Sequence, residues 1–332
     1  MSSKQANSTE KKMYYNRVLS PDFAQWFKKK DKLEWLFKFV KKRNDLDFLI
    51  GKNKGKEWIS VYRGLSRCVT INTKGKIDGA KAYKDIQPKL YGNKLDFENE
   101  LNELLLIIEN EPKFARYYNN NKEGFFQNKY SRKYGIESKA DSEFVIIDKE
   151  VVIGYKDKAT KNELLIPLQN KYKDMLSKIS SINAKRYGKH GDKSSIGNEL
   201  DFFALDKNGN LLLIEFKHGT NTAGIYLSPI QIGLYYDIFT NYYKDYKKEF
   251  EEAIFDMLKQ KQEMGLINSD WRCPASIKEI IPVLVISKYN DKSSAKEKYM
   301  EIMNICRKEL GNDFLQNIQT YNFLSESELK NW

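Results

Sequence analysis

The sequence predicts an α/β protein built on a mixed β-sheet flanked by helices, preceded by an N-terminal α+β domain. Two observations predict it. The C-terminal half reads helix, hairpin, helix and strand in that order, and the length of 332 residues exceeds the usual size of one domain. We place the domain boundary after residue 155, so that the two domains span residues 1–155 and 156–332.

The N-terminal half carries weaker signals, each from a local pattern. Ser20-Pro21 is typical of a helix start, and the apolar positions from Phe23 to Val40 follow a helical period that the basic run Lys28–Lys32 can split into two helices. The other elements predicted here are strands at Glu57–Val61 and Leu65–Ile71, a helix at Phe97–Asn110, and a hairpin formed by Phe144–Ile147 and Val151–Tyr155.

Aromatic and basic residues alternate between Arg116 and Gly135. Aromatic faces stack on bases while cations follow a phosphate backbone, so this segment is a candidate nucleic-acid contact. The other interpretation is an irregular connection whose aromatic side chains lie in the core.

The C-terminal half is more regular. Pro167 is expected to open a helix, because apolar residues recur at helical spacing from Leu168 to Ile182. The elements predicted after it are strands at about Asn198–Leu205 and Leu211–Lys217, helices at Pro229–Tyr243 and Ala253–Met264, a strand at Ile280–Ser287, a helix at Ala295–Leu310 and a strand at Ile318–Phe323.

Composition narrows the class of protein. The formal net charge of +12 suits a polyanionic partner such as nucleic acid, although the excess of lysine over arginine is also what an AT-rich genome would produce. No apolar run is long enough to span a bilayer, and residues 1–12 contain no apolar signal-peptide core. We therefore expect no membrane contact and a cytoplasmic location.

The same composition limits the kind of metal site. Three separated cysteines and two histidines, His190 and His218, cannot supply a disulfide framework or a zinc site. Any catalytic metal must be held mainly by carboxylates, which favours Mg²⁺ or Mn²⁺.

The residues that predict chemistry lie in Gly197–Gly219, where turn residues from Asp206 to Asn210 separate two apolar runs. Pairing Leu205 with Leu211 brings Asp201 opposite Glu215, and Glu199 opposite Lys217. Opposed carboxylates would repel on an apolar sheet unless they share a cation.

A divalent ion between them could polarise a phosphate and activate water. Asp201, Glu215 and the Phe216 carbonyl are the expected metal ligands. Lys217 is expected to position or deprotonate the attacking water, and Glu199 is a further ligand or a partner for Lys217.

Asp201 followed by Glu215-Phe216-Lys217 at the end of an apolar strand resembles the D…(D/E)xK signature of PD-(D/E)xK nucleases. Gln231 and Tyr235 also fit the Q-x-x-x-Y motif of the RecB-like members. The resemblance covers residues 164–290 and implies a restriction-endonuclease-like sheet, Mg²⁺-dependent hydrolysis of nucleic acid, usually DNA, and a position for Gln231 and Tyr235 beside the bound strand.

A nuclease in defence, restriction or repair is thus the first hypothesis, with the N-terminal domain recognising substrate, a partner protein or a second copy of the chain. A non-catalytic binding module on the same fold and an RNase are the alternatives. Many relatives of this kind carry an extra acid on the preceding helix, for which Glu163 is the candidate.

Several matched residues also have structural interpretations. Gln231 could close a capping box with Ser228, and Tyr235 could lie in the core. His218 could bind phosphate or be incidental. The basic loop Lys185–Lys193, with Lys189, could approach the substrate backbone or be solvated.

Overall fold

The computed structural model describes residues 11–28, 31–75, 77–79, 99, 106, 118, 122–189, 196–197, 199–311, 318–325 and 328–331. The strands are β1 (Met13–Tyr14), β2 (Leu46–Asn53), β3 (Lys56–Arg63), β4 (Ser66–Asn72), β5 (Ile77–Gly79), β6 (Phe144–Val151), β7 (Gly154–Tyr155), β8 (Leu200–Asp206), β9 (Leu211–His218), β10 (Ile280–Ser287), β11 (Gln319–Ser325) and β12 (Glu328–Asn331). The helices are α1 (Pro21–Gln25), α2 (Glu34–Lys42), α3 (Glu123–Lys133), α4 (Lys158–Ile182), α5 (Ala184–Tyr187), α6 (Thr222–Asp245), α7 (Lys247–Glu263) and α8 (Ala295–Leu310).

The largest sheet has six strands in the order β12-β11-β10-β9-β8-β6. Strand β8 runs antiparallel to both β6 and β9, whereas β9, β10 and β11 run parallel to one another. The predicted α/β class with a mixed sheet flanked by helices is therefore confirmed.

Alternation along β9 divides the core into two layers. Leu211 and Leu213 face a cluster that contains Tyr235 and Phe239 of α6 and residues of α7. The even-numbered positions of β9, including Phe216, face Phe126 and Tyr130 of α3. Helix α3 therefore packs on one face of the sheet, and its aromatic side chains lie in the core.

A second sheet, β2-β3-β4-β5, forms a separate core with α1 and α2. The basic run after Phe27 does separate the two helices, as predicted. Strand β2 escaped prediction. Its Asn53 pairs with Lys56 across a two-residue turn in which Lys54 and Gly55 both have positive φ, the geometry that matches strand twist in a tight hairpin.

The predicted hairpin at 144–155 and the starts of two predicted helices are wrong. The residues predicted as a hairpin at 144–155 form no hairpin, because β6 pairs with β8 and β7 pairs with β1. Pro167 and Pro229 do not open helices, since both lie inside longer ones. In α6, the Ser228 hydroxyl donates to the Ile225 carbonyl at 2.7 Å, the acceptor that a proline at 229 leaves without its helical N–H.

The six-stranded sheet extends across the expected domain boundary, because β6 ends at Val151 and α3 packs on β9. The helix expected at Phe97–Asn110 lies outside the described residues except for positions 99 and 106. Within the described chain, no helix combines the length and apolar character needed to cross a membrane.

Candidate active site

The hairpin that carries the site is fixed by its turn. Both carboxylate oxygens of Asp206 accept hydrogen bonds from Asn210, from its backbone N–H at 2.7 Å and from its amide at 2.8 Å. Gly209 sits at φ +91°, where a side chain would be strained. The register predicted from this turn is confirmed, with Leu205 opposite Leu211 and pairing maintained to Phe202 opposite Ile214.

Asp201 lies where the ladder between β8 and β9 ends. Its carboxylate accepts the Phe216 backbone N–H at 2.7 Å and the Gln127 side-chain amide, from α3, at 3.2 Å. Burial raises the pKa of Asp201, while the Lys217 ammonium opposes that rise. Because the N–H and C=O of one residue in an extended strand point to the same side, the Phe216 carbonyl faces the Asp201 side of β9.

Glu215 and Lys217 lie on one face of β9, where they form a buried ion pair. Glu215 is only 1% exposed, and its Oε2 atom is buried with no hydrogen-bond partner among the described residues. Burial, followed by repulsion from Asp201, raises the pKa of Glu215 to about 8. Burial acts to lower the pKa of Lys217, but the Glu215 and Asp201 carboxylates raise it, so the amine is held as an ammonium.

A third carboxylate at the site, Glu123, was missed from the sequence. It is the first residue of α3, one turn before Gln127, and its carboxylate accepts the His218 backbone N–H at 3.0 Å. Burial raises its pKa, and Asp201 adds to the rise. The signal that could have found it is the pair Glu123 and Gln127 at i, i+4, which places two oxygen-bearing side chains on one helix face.

The acid predicted for this role, Glu163, lies elsewhere. It is exposed on α4 and pairs with the Lys12 ammonium at 2.9 Å. Glu163 is therefore not among the carboxylates that raise the pKa of Lys217, whereas Glu123 is.

Tyr235 and Gln231 hold the chain that leads into β8. The Tyr235 hydroxyl donates to the Glu199 carbonyl at 2.6 Å and lies 3.5 Å from the Gln231 amide. Both side chains press on Gly197, where an added Cβ would be 2.5 Å from the Tyr235 oxygen. The capping-box interpretation of Gln231 is wrong, because α6 begins at Thr222, capped by the Asn221 side chain.

Glu199, His218 and Lys189 are not part of the ion pair between Glu215 and Lys217. The Glu199 side chain is exposed just before β8, and burial and the Glu150 carboxylate raise its pKa. Glu215, and not Glu199, is the carboxylate paired with Lys217. His218 alternates to the α3 face, where its ring centroid is 5.4 Å from that of Phe126. Lys189 is exposed, and His190 lies outside the described residues.

The donor atoms at the hairpin are of the kind that a hard divalent cation prefers: three carboxylates, one of which has a buried oxygen without a partner, and one backbone carbonyl. In the structure, however, the Lys217 ammonium already occupies one oxygen of the Glu215 carboxylate. Among the described residues, no three His, Cys, Asp or Glu side chains are grouped so that they could hold a metal.

Neither protein-family models, nor curated proteins, nor solved structures give a match to this chain.

Proposed function

We propose that this chain is a Mg²⁺- or Mn²⁺-dependent nuclease of the PD-(D/E)xK type that hydrolyses phosphodiester bonds in DNA, as an endonuclease in defence, restriction or repair. The observation that carries the proposal is the convergence of Asp201, Glu215, Glu123 and Lys217 at the end of one hairpin. The mixed order of the large sheet supports the restriction-endonuclease-like fold that the D…ExK resemblance implies.

Electrostatics supports a cation-binding role for these carboxylates. Three acids face one ammonium in a low-dielectric environment, and the pKa values of Asp201, Glu215 and Glu123 are all raised, first by burial. Clusters of perturbed carboxylates are typical of functional sites, where a ligand supplies the missing charge.

In this proposal Asp201, Glu215 and the Phe216 carbonyl hold the divalent ion, and Glu123 completes the ligand set. A bound Mg²⁺ would polarise the scissile phosphate and lower the pKa of a coordinated water. Because Lys217 remains an ammonium, its part is to orient water by hydrogen bonding and to neutralise charge on the phosphate, and not to remove a proton. Gln231 and Tyr235 fix the entry to β8, which positions Asp201.

A non-catalytic binding module is the second candidate, and one observation favours it. Glu215 is already paired with Lys217, and the described residues contain no assembled metal group. This function predicts salt-sensitive binding of nucleic acid without metal-dependent turnover. An RNase of the same geometry is distinguished by substrate alone.

Cleavage of supercoiled plasmid and of single-stranded RNA, with Mg²⁺, with Mn²⁺ and with EDTA, tests the proposal. We expect metal-dependent cleavage of DNA that Asp201→Asn and Lys217→Ala each reduce by about a hundredfold or more. Asp256→Asn and Lys259→Ala, at exposed positions on α7, are matched controls and should retain full activity.

A second measurement does not depend on turnover. A cation that binds only the folded chain raises the unfolding temperature, by the equivalent of about 3 kcal/mol at one hundred times its dissociation constant. We expect Mg²⁺ to stabilise the wild type and Lys259→Ala but not Asp201→Asn. Cleavage that survives both site substitutions, or equal stabilisation of Asp201→Asn, would refute the assignment.

A further inference from the structure

A cavity of about 310 Å³ lies between the N-terminal sheet and the chain segments around β1, β6 and β7. Its size is at the lower end of the range for small-molecule pockets, about 300–1,000 Å³. Its walls combine aromatic, basic and acidic side chains, chiefly Tyr14, Trp58, Tyr62, Arg67, Glu150 and Glu199. The mixture suits a flat ligand that carries both π-faces and hydrogen-bonding groups.

Two aromatic rings in these walls each pack against a glycine. The Trp58 indole covers Gly51, where an added Cβ would be 2.0–2.4 Å from three of its ring atoms. The Tyr14 ring covers Gly154 in the same way, at 2.2–2.7 Å. Both side chains are partly exposed, and the Tyr14 hydroxyl donates to the Asn53 side chain at 2.9 Å. The glycines therefore allow the rings to lie flat against the backbone while they line the cavity.

The carboxylate of Glu150 is held in the cavity by an unusual backbone. Glu150 has φ +48°, a conformation that costs energy for any residue with a side chain. The Arg17 guanidinium fixes this bend by donating to the carbonyls of Lys149 and Glu150 at 2.9 and 2.7 Å. The Tyr62 hydroxyl donates to the Glu150 carboxylate at 2.9 Å, which orients the acceptor.

The cavity shares lining residues with a second cavity that reaches the candidate active site. Tyr62, Glu150 and Glu199 also line a second cavity of about 170 Å³, and Asp201 lines that one with Gln127. The larger cavity therefore adjoins the one that Asp201 lines.

We propose that this cavity binds one unpaired nucleobase of a nucleic-acid substrate, stacked against Trp58 and Tyr14. The proposal rests on the proposed function for the identity of the ligand, although base binding does not require turnover. Stacking on aromatic rings accepts any base, because every base has a π-face.

The carboxylates in the cavity offer acceptors to a base. Arg17 and Lys52, which also line it, are paired with Asp148 and Glu57, whereas the carboxylates of Glu150 and Glu199 can accept a hydrogen bond from an exocyclic amino group such as that of cytosine. Thymine has no such group. The cavity should therefore prefer a base with an amino group to thymine.

The test measures binding of fluorescently labelled oligonucleotides of about ten nucleotides to the full chain in EDTA, where no cleavage can occur. We expect oligo-dC to bind about tenfold more tightly than oligo-dT, and a single abasic position in oligo-dC to weaken binding about tenfold when it falls at the cavity. A duplex with one mismatched cytosine, compared with a perfect duplex, shows whether the base can also be taken from a duplex.

Variants assign the effect to this cavity. We expect Trp58→Ala to reduce affinity about tenfold and Trp58→Phe, which keeps a π-face, to retain most of it. Glu150→Ala should remove the preference for cytosine, whereas Glu252→Ala, at an exposed position on α7, should not. Lys56→Ala, at an exposed position on β3, controls for loss of a cation when compared with Arg67→Ala, which should weaken binding more.

The outcomes separate this inference from the proposed function. Cleavage of DNA with a flat abasic series and no effect of Trp58→Ala would overturn the base pocket and leave the nuclease intact. Absence of cleavage, with base-selective binding that Trp58→Ala removes, would support the pocket and refute the nuclease.

Discussion

Two buried ionic clusters contact α3, one through Gln127 and the other one turn later through Ser131, and they differ in how their charge is compensated. In the first, the Asp47 carboxylate of β2 receives hydrogen bonds from the Ser131 hydroxyl, from the Phe48 backbone N–H at 2.8 Å and from the Lys149 ammonium at 2.8 Å. Burial alone would raise the pKa of Asp47, but Lys149 and the other donors lower it.

The second cluster is the candidate active site, where the balance is reversed. Asp201, Glu215 and Glu123 share the Lys217 ammonium, and all three carboxyl pKa values are raised. The Asp47 cluster is complete without a ligand and joins the two sheets. The cluster at Glu215 keeps an unpaired oxygen, and its carboxyl groups ionise less readily than they would in water, which a bound cation would correct.

The largest effect on stability is expected in the complete cluster. Asp47→Asn leaves the buried Lys149 ammonium without its carboxylate, and breaking a buried pair in this way costs about 3 kcal/mol. Urea unfolding should show this loss as a lower midpoint with an unchanged slope, while Asp256→Asn has no effect. A loss below about 1 kcal/mol would show that the Asp47 cluster does not hold the sheets together.

The cluster at Glu215 is expected to lower the stability of the folded chain as the pH rises. The pKa of Glu215 rises from its ordinary 4.5 to about 8 on folding, so between these values the folded chain retains a proton that the unfolded chain has lost. Stability therefore falls as the pH rises from about 4.5 to 8. Lys217 contributes no slope in this window, because both its folded and unfolded pKa values lie above it.

Glu215→Gln removes the carboxyl that titrates and should make the fall in stability between pH 5 and 8 shallower by about 1 kcal/mol or more, in EDTA. Asp201 and Glu123 leave some slope behind, since their pKa values are also raised. The same variant should lose cleavage. Urea unfolding at pH 5, 6.5 and 8 measures the slope, and parallel curves for the two proteins would contradict the expectation.

The hairpin could be predicted because its determinants are local. Asp206, Gly209 and Asn210 set the turn, the turn sets the register, and alternation then brings Glu215 and Lys217 to one face. The apolar run of β10 was equally clear, because a strand buried on both faces is apolar throughout.

The position of Glu123 and the pairing of β6 could not be predicted, because they depend on tertiary contacts that leave little trace in the sequence. Glu123 reaches the site only because the aromatic residues of α3 fix that helix against β9. Strand β6 pairs with β8 across a long separation in the chain, so its partner could not be deduced from a nearby turn. The helix starts predicted at the prolines were wrong for another reason. Pro229 is tolerated inside α6 because the Ser228 hydroxyl donates to the Ile225 carbonyl, which lacks its helical N–H partner.

The smallest effect is expected for Glu163, the acid that the sequence favoured. Its carboxylate and the Lys12 ammonium are 59% and 53% exposed, and solvent and salt screen such pairs. Glu163→Gln should change neither the unfolding midpoint nor plasmid cleavage, whereas Glu123→Gln should lower cleavage at least about tenfold without loss of folding. Loss of cleavage in Glu163→Gln with full cleavage in Glu123→Gln would reverse the assignment, and the charge comparison between the two buried clusters would then no longer identify the site.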